Sequence, residues 1–367
     1  MIPFSDPSAS YQAHKKEIDQ AIDRVHNSGW FVLGKEVEAF EQEFASFHGI
    51  NYHAVGVANG TDAIALCLRS MCMGGNNEVI TASHTAVATV AGIEQAGCIP
   101  VFADIDPVSR CIDPGSIEKR ISNKTRAIMP VHIYGQPCDM NAICKIAETN
   151  KLEVIEDCSQ AHGAESNEQK VGTFGSLAAF SCYPTKNLGG TGDGGVILCK
   201  SLQLWEKLKA LRQYGWNQDR ESLVQGFNSR LDEVQAAILR VKLAHLGTSN
   251  KKRFLIANKY NEAFQDLPIT LPCLGQNETH AMHLFVIECD RRDELLIHLR
   301  NSGVGASLHY PLPVHLHAAY SGRIRGSKDL PATEMFYKSH LTLPMFPELS
   351  DNAIENIISG VCNFFKN

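Results

Sequence analysis

FSCYPTKNLGGTGDGG, residues 180–195, places one lysine, Lys186, just past an apolar strand-like run and just before a glycine-dense turn. Glycine lets a backbone come close to a bound group, and loops carried by rigid elements are where catalytic side chains concentrate. A lysine in a polar loop is ordinarily a solvated surface group. Whether Lys186 is more than that depends on which other residues the fold brings to it.

Upstream, the apolar run HAVGVA at 53–58 leads straight into Asn59, Gly60, Thr61 and Asp62, and then into the helix-forming AIALCLRSM. This reads as strand, tight turn and capped helix. A helix N-terminus offers unpaired N–H groups and the positive end of the dipole, so Gly60 and Thr61 could hold a phosphate. Capping alone accounts equally well for Thr61 and Asp62. Strand and helix signals then alternate through 78–81, 89–96, 99–102, 114–121, 127–131, 140–148 and 152–155. The alternation predicts an α/β fold, with a mostly parallel sheet covered by helices on both faces.

In such open sheets the ligand lies beyond the carboxyl ends of the strands. The residues expected there are polar: Ser83, His84, Asp104, Asp106, His132, Glu156, Asp157 and Ser181. Asp157 directly follows the run VIE, which aims it into the same crevice as Lys186 and the Gly60 turn. Pyridoxal phosphate needs a lysine to bond it, an acid to keep its ring nitrogen protonated, and a helix-terminus cradle with hydroxyls for its phosphate. Each requirement has a candidate.

The rest of the chain bounds the reading. Its 367 residues, 44% hydrophobic and 20% charged, suit a large domain plus a smaller one. The net charge of -6 is scattered, with no basic block, which argues against nucleic acid or an anionic membrane as partner. Most of the twelve cysteines lie in apolar runs without CxxC spacing, as expected of reduced core thiols in a cytoplasmic protein. The opening MIPFSDPSASYQ lacks a basic region followed by an apolar core, and no apolar run approaches a membrane span. Ile18, Ala21, Ile22 and Val25 mark a first helix that stops at 27–29, and a second helix is expected over 35–47. Between them Trp30 and Phe31 form either a satellite cluster or a binding loop. Past about residue 250 the order becomes mixed, with helices expected at 258–264 and 293–300, strands at 284–287 and 305–308, and a closing amphipathic helix carrying Ile354, Ile357, Ile358 and Val361. The division is therefore 1–250, with the N-terminal segment, and 251–367, a small α+β domain. HYPLPVHLH, 309–317, has three histidines, but Pro311 and Pro313 make it an extended loop without regular ligand spacing. No metal site is assigned. His132 and His162 either support the site from behind or simply pack.

Nearly the whole chain resembles the DegT/StrS sugar aminotransferases, fold-type-I pyridoxal phosphate enzymes that act on nucleotide-linked keto sugars. The resemblance is carried in order by SGWFVLGKEVEAFEQEFA, ANGTDAIAL, SHTAVATVAGIEQAG, PVHIYGQPCDM, VIEDCSQAHGA, FSCYPTKNLGGTGDGG, NSRLDEVQAAILRVKL, HYPLPVH and LTLPMFPEL. It implies that Lys186 bonds pyridoxal 5'-phosphate, Asp157 partners the pyridine nitrogen and Gln160 hydrogen-bonds the ring hydroxyl. It further implies that Gly60, Thr61 and Ser181 hold the phosphate and that His84 stacks on the ring. Asn228 would reach the cofactor phosphate of a neighbouring subunit, which implies a homodimer with shared sites; an N-cap for the helix carrying Leu231, Val234, Ile238 and Val241 is the alternative or additional role. Phe31, Tyr183, His309, Tyr310 and His315 would contact substrate. Ala86 and Cys182 stand where relatives carry larger aromatics, and Asn76-Asn77 replaces a usual Gly-Asp. Lysine at 186 argues against the family's dehydratases, which carry histidine there. The expected reaction moves an amino group from glutamate to a nucleotide-linked keto-deoxysugar, with the SGWFVLG opening favouring the 3-position over the 4-position. A lyase or dehydratase reaction and a regulator built on the same fold are the other readings.

Overall fold

The computed structural model describes residues 1–273 and 278–366. Seven strands form the main sheet: β1 (His53–Val57), β2 (Glu78–Ala82), β3 (Ile99–Ala103), β4 (Thr125–Ile128), β5 (Glu153–Asp157), β6 (Leu177–Ser181) and β7 (Gly195–Cys199). Their spatial order is β1-β7-β6-β5-β4-β2-β3, and only β7 runs against its neighbours. These short runs are almost wholly buried because both faces are covered, so they read as continuous apolar segments.

The helices expected between residues 18 and 148 fall where the spacing predicts, and those over 7–13 and 202–211 are additional. α1 (Pro7–Ala13) precedes α2 (Lys15–Ser28), which ends on Gly29 at φ 66°, a left-handed stop suited to glycine. After α3 (Lys35–His48) and β1, the Asn59 side chain accepts from the Asp62 amide at 2.8 Å and caps α4 (Gly60–Ser70). α5 (Val87–Gln95), α6 (Pro114–Arg120) and α7 (Met140–Asn150) complete the expected alternation, and α8 (Leu202–Leu211) follows β7. One face of the sheet packs Val55, Ile155, Ala179 and Ile197 against Leu66 and Leu208. The other packs Phe180, Val196 and Leu198 against Phe40 and Phe44 of α3 and Leu239 beyond them.

The division expected at 250 falls inside one unbroken helix, α9 (Glu233–Phe264). Its first half, with Leu239, Leu243 and Leu246, belongs to the sheet core. Its second half, with Ile256, Tyr260 and Phe264, belongs to a separate C-terminal core. That core is built from β8 (Phe285–Glu288) paired antiparallel with β9 (His340–Leu343), flanked by α10 (Arg292–Asn301) and α12 (Asp351–Lys366), while α11 (Pro331–Ser339) sends Phe336 and Tyr337 into the core of the large sheet. The strand expected over 305–308 is not regular. Val304 and Ser307 make single bridges to Ile2 and Thr342, because the N-terminal segment crosses there: a Cβ on Gly305 would meet the Ile2 carbonyl at 2.6 Å. No helix among the described residues is long and apolar enough to cross a membrane.

Candidate active site

Three chain segments converge at the carboxyl edge of the sheet. β7 begins there at Gly195, paired with both Val57 and Ser181, so the ends of β1 and β6 flank it. A Cβ on Gly195 would lie 2.4 Å from the Asn59 carbonyl, and one on Gly60 would lie 2.6 Å from the Ser181 Cβ. Glycine is required at both positions, since any larger residue would force the strand ends apart. The result places the first amides of α4 beside the Ser181 hydroxyl, a cradle suited to an anion.

Lys186 lies in the turn that follows β6. Its amide donates to the Tyr183 carbonyl at 2.8 Å, and Gly190 N–H returns to the Cys182 carbonyl at 2.8 Å. Gln235 of α9 accepts from Thr191 N–H at 2.9 Å and holds the turn down. Lys186 is half-buried as a residue, but its ammonium is enclosed and is drawn down to about 8, chiefly by desolvation, with the Asp157 carboxylate opposing the shift. Neutral amine is thus far more abundant near neutrality than for a solvated lysine.

Asp157, 3% exposed, ends β5. Its Oδ2 accepts from Thr89 Oγ1 at 2.8 Å and its Oδ1 from Ser159 N–H at 3.1 Å; Thr89 in turn shares a 2.6 Å hydrogen bond with Thr85. Hydroxyl and amide donors hold the carboxylate without neutralising it. Gln160 is equally fixed: Oε1 accepts from Tyr134 N–H at 2.7 Å, and Nε2 donates to Tyr310 Oη at 2.9 Å. The Tyr310 hydroxyl is pushed up to about 12 by burial and by the Asp157 charge. Tyr134 Oη donates to the His309 carbonyl, and His309 Nδ1 meets Thr342 Oγ1 at 3.0 Å. The loop at 309–310 is thereby tied to the segment after Asp157.

Other expected site residues are placed differently. His84 is 1% exposed, its Nδ1 3.1 Å from Tyr337 Oη, with Tyr134, Phe336 and Tyr337 packed edge-on around it. Its ring is enclosed by aromatics and offers no open face for stacking; the half-buried side chain beyond it is Ala86. His315 is also turned inward, with Nδ1 2.8 Å from Ser83 Oγ and Nε2 3.5 Å from Glu334. It anchors its loop to the end of β2 and does not contribute a surface to substrate. Phe31 and Tyr183 are about half exposed, and Thr61 is half-buried. Asn228 is exposed and bridged through its backbone to Gln213; the N-cap of α9 is Asp232, so the capping role does not apply.

Sequence reasoning missed Thr89, Tyr134 and Glu233, whose partners are distant in sequence. Glu233 accepts from the amides of Gly34, Glu36 and Val37 at 2.7, 3.0 and 2.9 Å. It fixes the start of α3 and leaves Trp30 and Phe31 at the surface. His132, Glu156 and Cys158 form a compact buried group, but its polar atoms are engaged: His132 Nδ1 accepts from Cys138 N–H at 3.1 Å and Nε2 faces Glu156 at 3.1 Å.

The sequence profile of the DegT/DnrJ/EryC1/StrS aminotransferase family matches residues 12–362. The chain belongs to this family. It is 42% identical over 361 residues to the dTDP-3-amino-3,4,6-trideoxy-alpha-D-glucose transaminase of Streptomyces venezuelae, covering 98% of this chain and 95% of the relative. It is 43% identical over 361 residues to the dTDP-3-amino-3,6-dideoxy-alpha-D-galactopyranose transaminase of Aneurinibacillus thermoaerophilus, covering 98% and 99%. The crystal structure of S. venezuelae DesV, solved in complex with a ketimine intermediate, superposes with a TM-score of 0.97 at 41% identity, covering 100% of this chain and 99% of that one. The enzyme is a pyridoxal 5'-phosphate-dependent sugar aminotransferase with the α/β fold of fold-type-I enzymes.

The residues fit the cofactor. The Gly60–Ser181 cradle suits a phosphate, and Asp157 is a buried carboxylate. The Lys186 amine is depressed by burial, with no hydrogen bond to a described side chain contributing. When bound, the cofactor supplies an electrophilic carbon and an electron-accepting ring. Asp157 would hold the proton on its ring nitrogen, and Gln160 would face its hydroxyl. Lys186, as the free amine, would act as nucleophile and then carry a proton.

Proposed function

We propose that the enzyme transfers the amino group of glutamate to the 3-keto carbon of a dTDP-linked 6-deoxyhexose, supplying a 3-amino sugar for surface polysaccharide or glycoside synthesis. The convergence of Lys186, Asp157 and the Gly60–Ser181 cradle on one sheet edge carries the reaction class. The 3-position draws support from the two relatives described above, both named as 3-amino sugar transaminases. Transfer at a 4-keto carbon is the competing reading. Lys186 and Asp157 are assigned as the catalytic pair, with Gly60, Thr61, Gln160 and Ser181 binding the cofactor. Phe31, Tyr183, His309 and Tyr310 would line the sugar pocket. Asn228 and Phe31, both open to solvent, support a homodimer in which each subunit completes its partner's site. All twelve cysteines are free thiols, which supports a cytoplasmic location.

Incubating the enzyme with glutamate and a panel of nucleotide-linked 3-keto and 4-keto deoxysugars tests the substrate. Product mass, with the amine's position fixed by NMR, should identify a 3-amino sugar, and turnover confined to 4-keto substrates would reject the proposal. Mixing inactive Lys186→Ala and Asn228→Ala subunits should restore part of the activity if the sites are shared.

A further inference from the structure

Asn187, the residue after Lys186, is where three chain segments meet. Its Nδ2 donates to the Ala281 carbonyl at 2.7 Å and to Asn250 Oδ1 at 2.9 Å, while its Oδ1 faces His283 Nδ1 at 3.1 Å. Asn250, in α9, donates onward to the His162 carbonyl at 2.8 Å. Gly163 makes room for that contact: at φ 79° it needs glycine, and a Cβ there would come within 2.9 Å of Asn250 Nδ2. Two asparagine side chains therefore link the turn carrying the lysine to the segment that follows Asp157. Backbone pairing does not make this connection.

The same network sets the state of the neighbouring imidazole. Both Nδ2 hydrogens of Asn187 go to oxygens, so Oδ1 can only accept, and His283 must present Nδ1–H. His283 feels Lys186, Arg253 of α9, His309 and His162. Lys186 in turn is faced by Asp157 from β5, Cys182 from its own turn, and His162, His283 and His309. These three histidines are held neutral chiefly by burial, and the lysine's charge acts in the same direction.

We propose that Asn187 is a positioning residue: it ties the Lys186 peptide to the segment after Asp157 and locks His283 as the Nδ1–H tautomer, so that the lysine amine sits in a shell of neutral imidazoles. The inference rests on Lys186 being the reactive lysine.

The test uses cofactor-free enzyme and a small aldehyde with cyanoborohydride, with the modified lysine located by peptide mass. Wild-type labelling at Lys186 should be half-maximal at about pH 8. In Asn187→Ala, water reaching the ammonium should raise that midpoint by about one unit, cutting labelling near neutrality about tenfold. Asn250→Ala leaves the contacts of Asn187 with Ala281 and His283 in place. It should give a smaller shift in the same direction, and it decides the matter if Asn187→Ala does not fold. Wild-type midpoints in the folded variants would overturn the positioning role. Labelling of a different lysine in the wild type would overturn the assignment of Lys186 itself.

Discussion

Glu156 and Asp157 are neighbours at the end of β5, yet they serve opposite faces of the sheet. Glu156 is wholly buried: Oε1 accepts from Phe174 and Gly175 N–H at 2.8 Å each, and Oε2 from Gly172 N–H at 2.7 Å and from His132. Every lone pair direction is used to shape the 172–175 loop. Among the described residues, the Asp157 carboxylate accepts only from the Thr89 hydroxyl and the Ser159 amide. The alternation of a strand separates an acid fully engaged in the structure from one proposed for chemistry, with no spacing between them. A carboxylate surrounded by four donors has no capacity left for a ligand, whereas one with two has.

That contrast can be broken by mutation. Asp157→Ala should lower kcat/KM by about 10²- to 10³-fold, about 3 kcal/mol of transition-state stabilisation, with little change in Tm. Transamination at near wild-type rate would remove its assigned role. Glu156→Ala should do the reverse. It leaves four donors unpaired and should cost at least about 3 kcal/mol in denaturant unfolding, while the molecules that remain folded keep their turnover number.

A milder probe is pH. The folded-state value of Lys186, about 8, lies below its ordinary 10.5, so the unfolded chain binds more protons between those limits. Stability of the cofactor-free enzyme should therefore rise with pH across that window, and Lys186→Met should flatten the rise in urea titrations. The smallest effect is expected at His315. His315→Ala should cost about 1 kcal/mol of stability through loss of the Ser83 contact and change KM less than about twofold. A tenfold rise in KM would return His315 to the substrate pocket.

Much of the fold was legible because the elements are local. Short apolar runs and the Gly29 stop need only neighbouring residues to be read, whereas the cap of α4 is Asn59 and not the Thr61 or Asp62 that the capping reading offered. α9 was harder: the helix carrying Val234, Ile238 and Val241 and the one expected over 258–264 read as two elements, but leucines on one side and Ile256, Tyr260 and Phe264 on the other anchor the halves of a single helix in separate cores. Lys186, Asp157 and the Gly60 turn could be expected to meet because strand ends in a parallel sheet share one edge. His84 and His315 were misplaced because a histidine in a strand-end or loop segment carries no mark of which way it turns. Their partners, Tyr337 and Ser83, lie 253 and 232 residues away in sequence.

By itself, then, the sequence determined the alternation of strands and helices in the large domain, the sheet edge, and the choice of Lys186, Asp157 and Gly60 as candidates, because each follows from residue type and local period. Tertiary structure alone decided that Glu156 is spent while Asp157 is available, that Gly60 abuts Ser181, and that Asn187 binds the lysine's turn to the acid's. Those outcomes depend on which distant donors arrive at a given atom, and a burial or hydrogen bond that closes only on packing leaves no trace in local spacing.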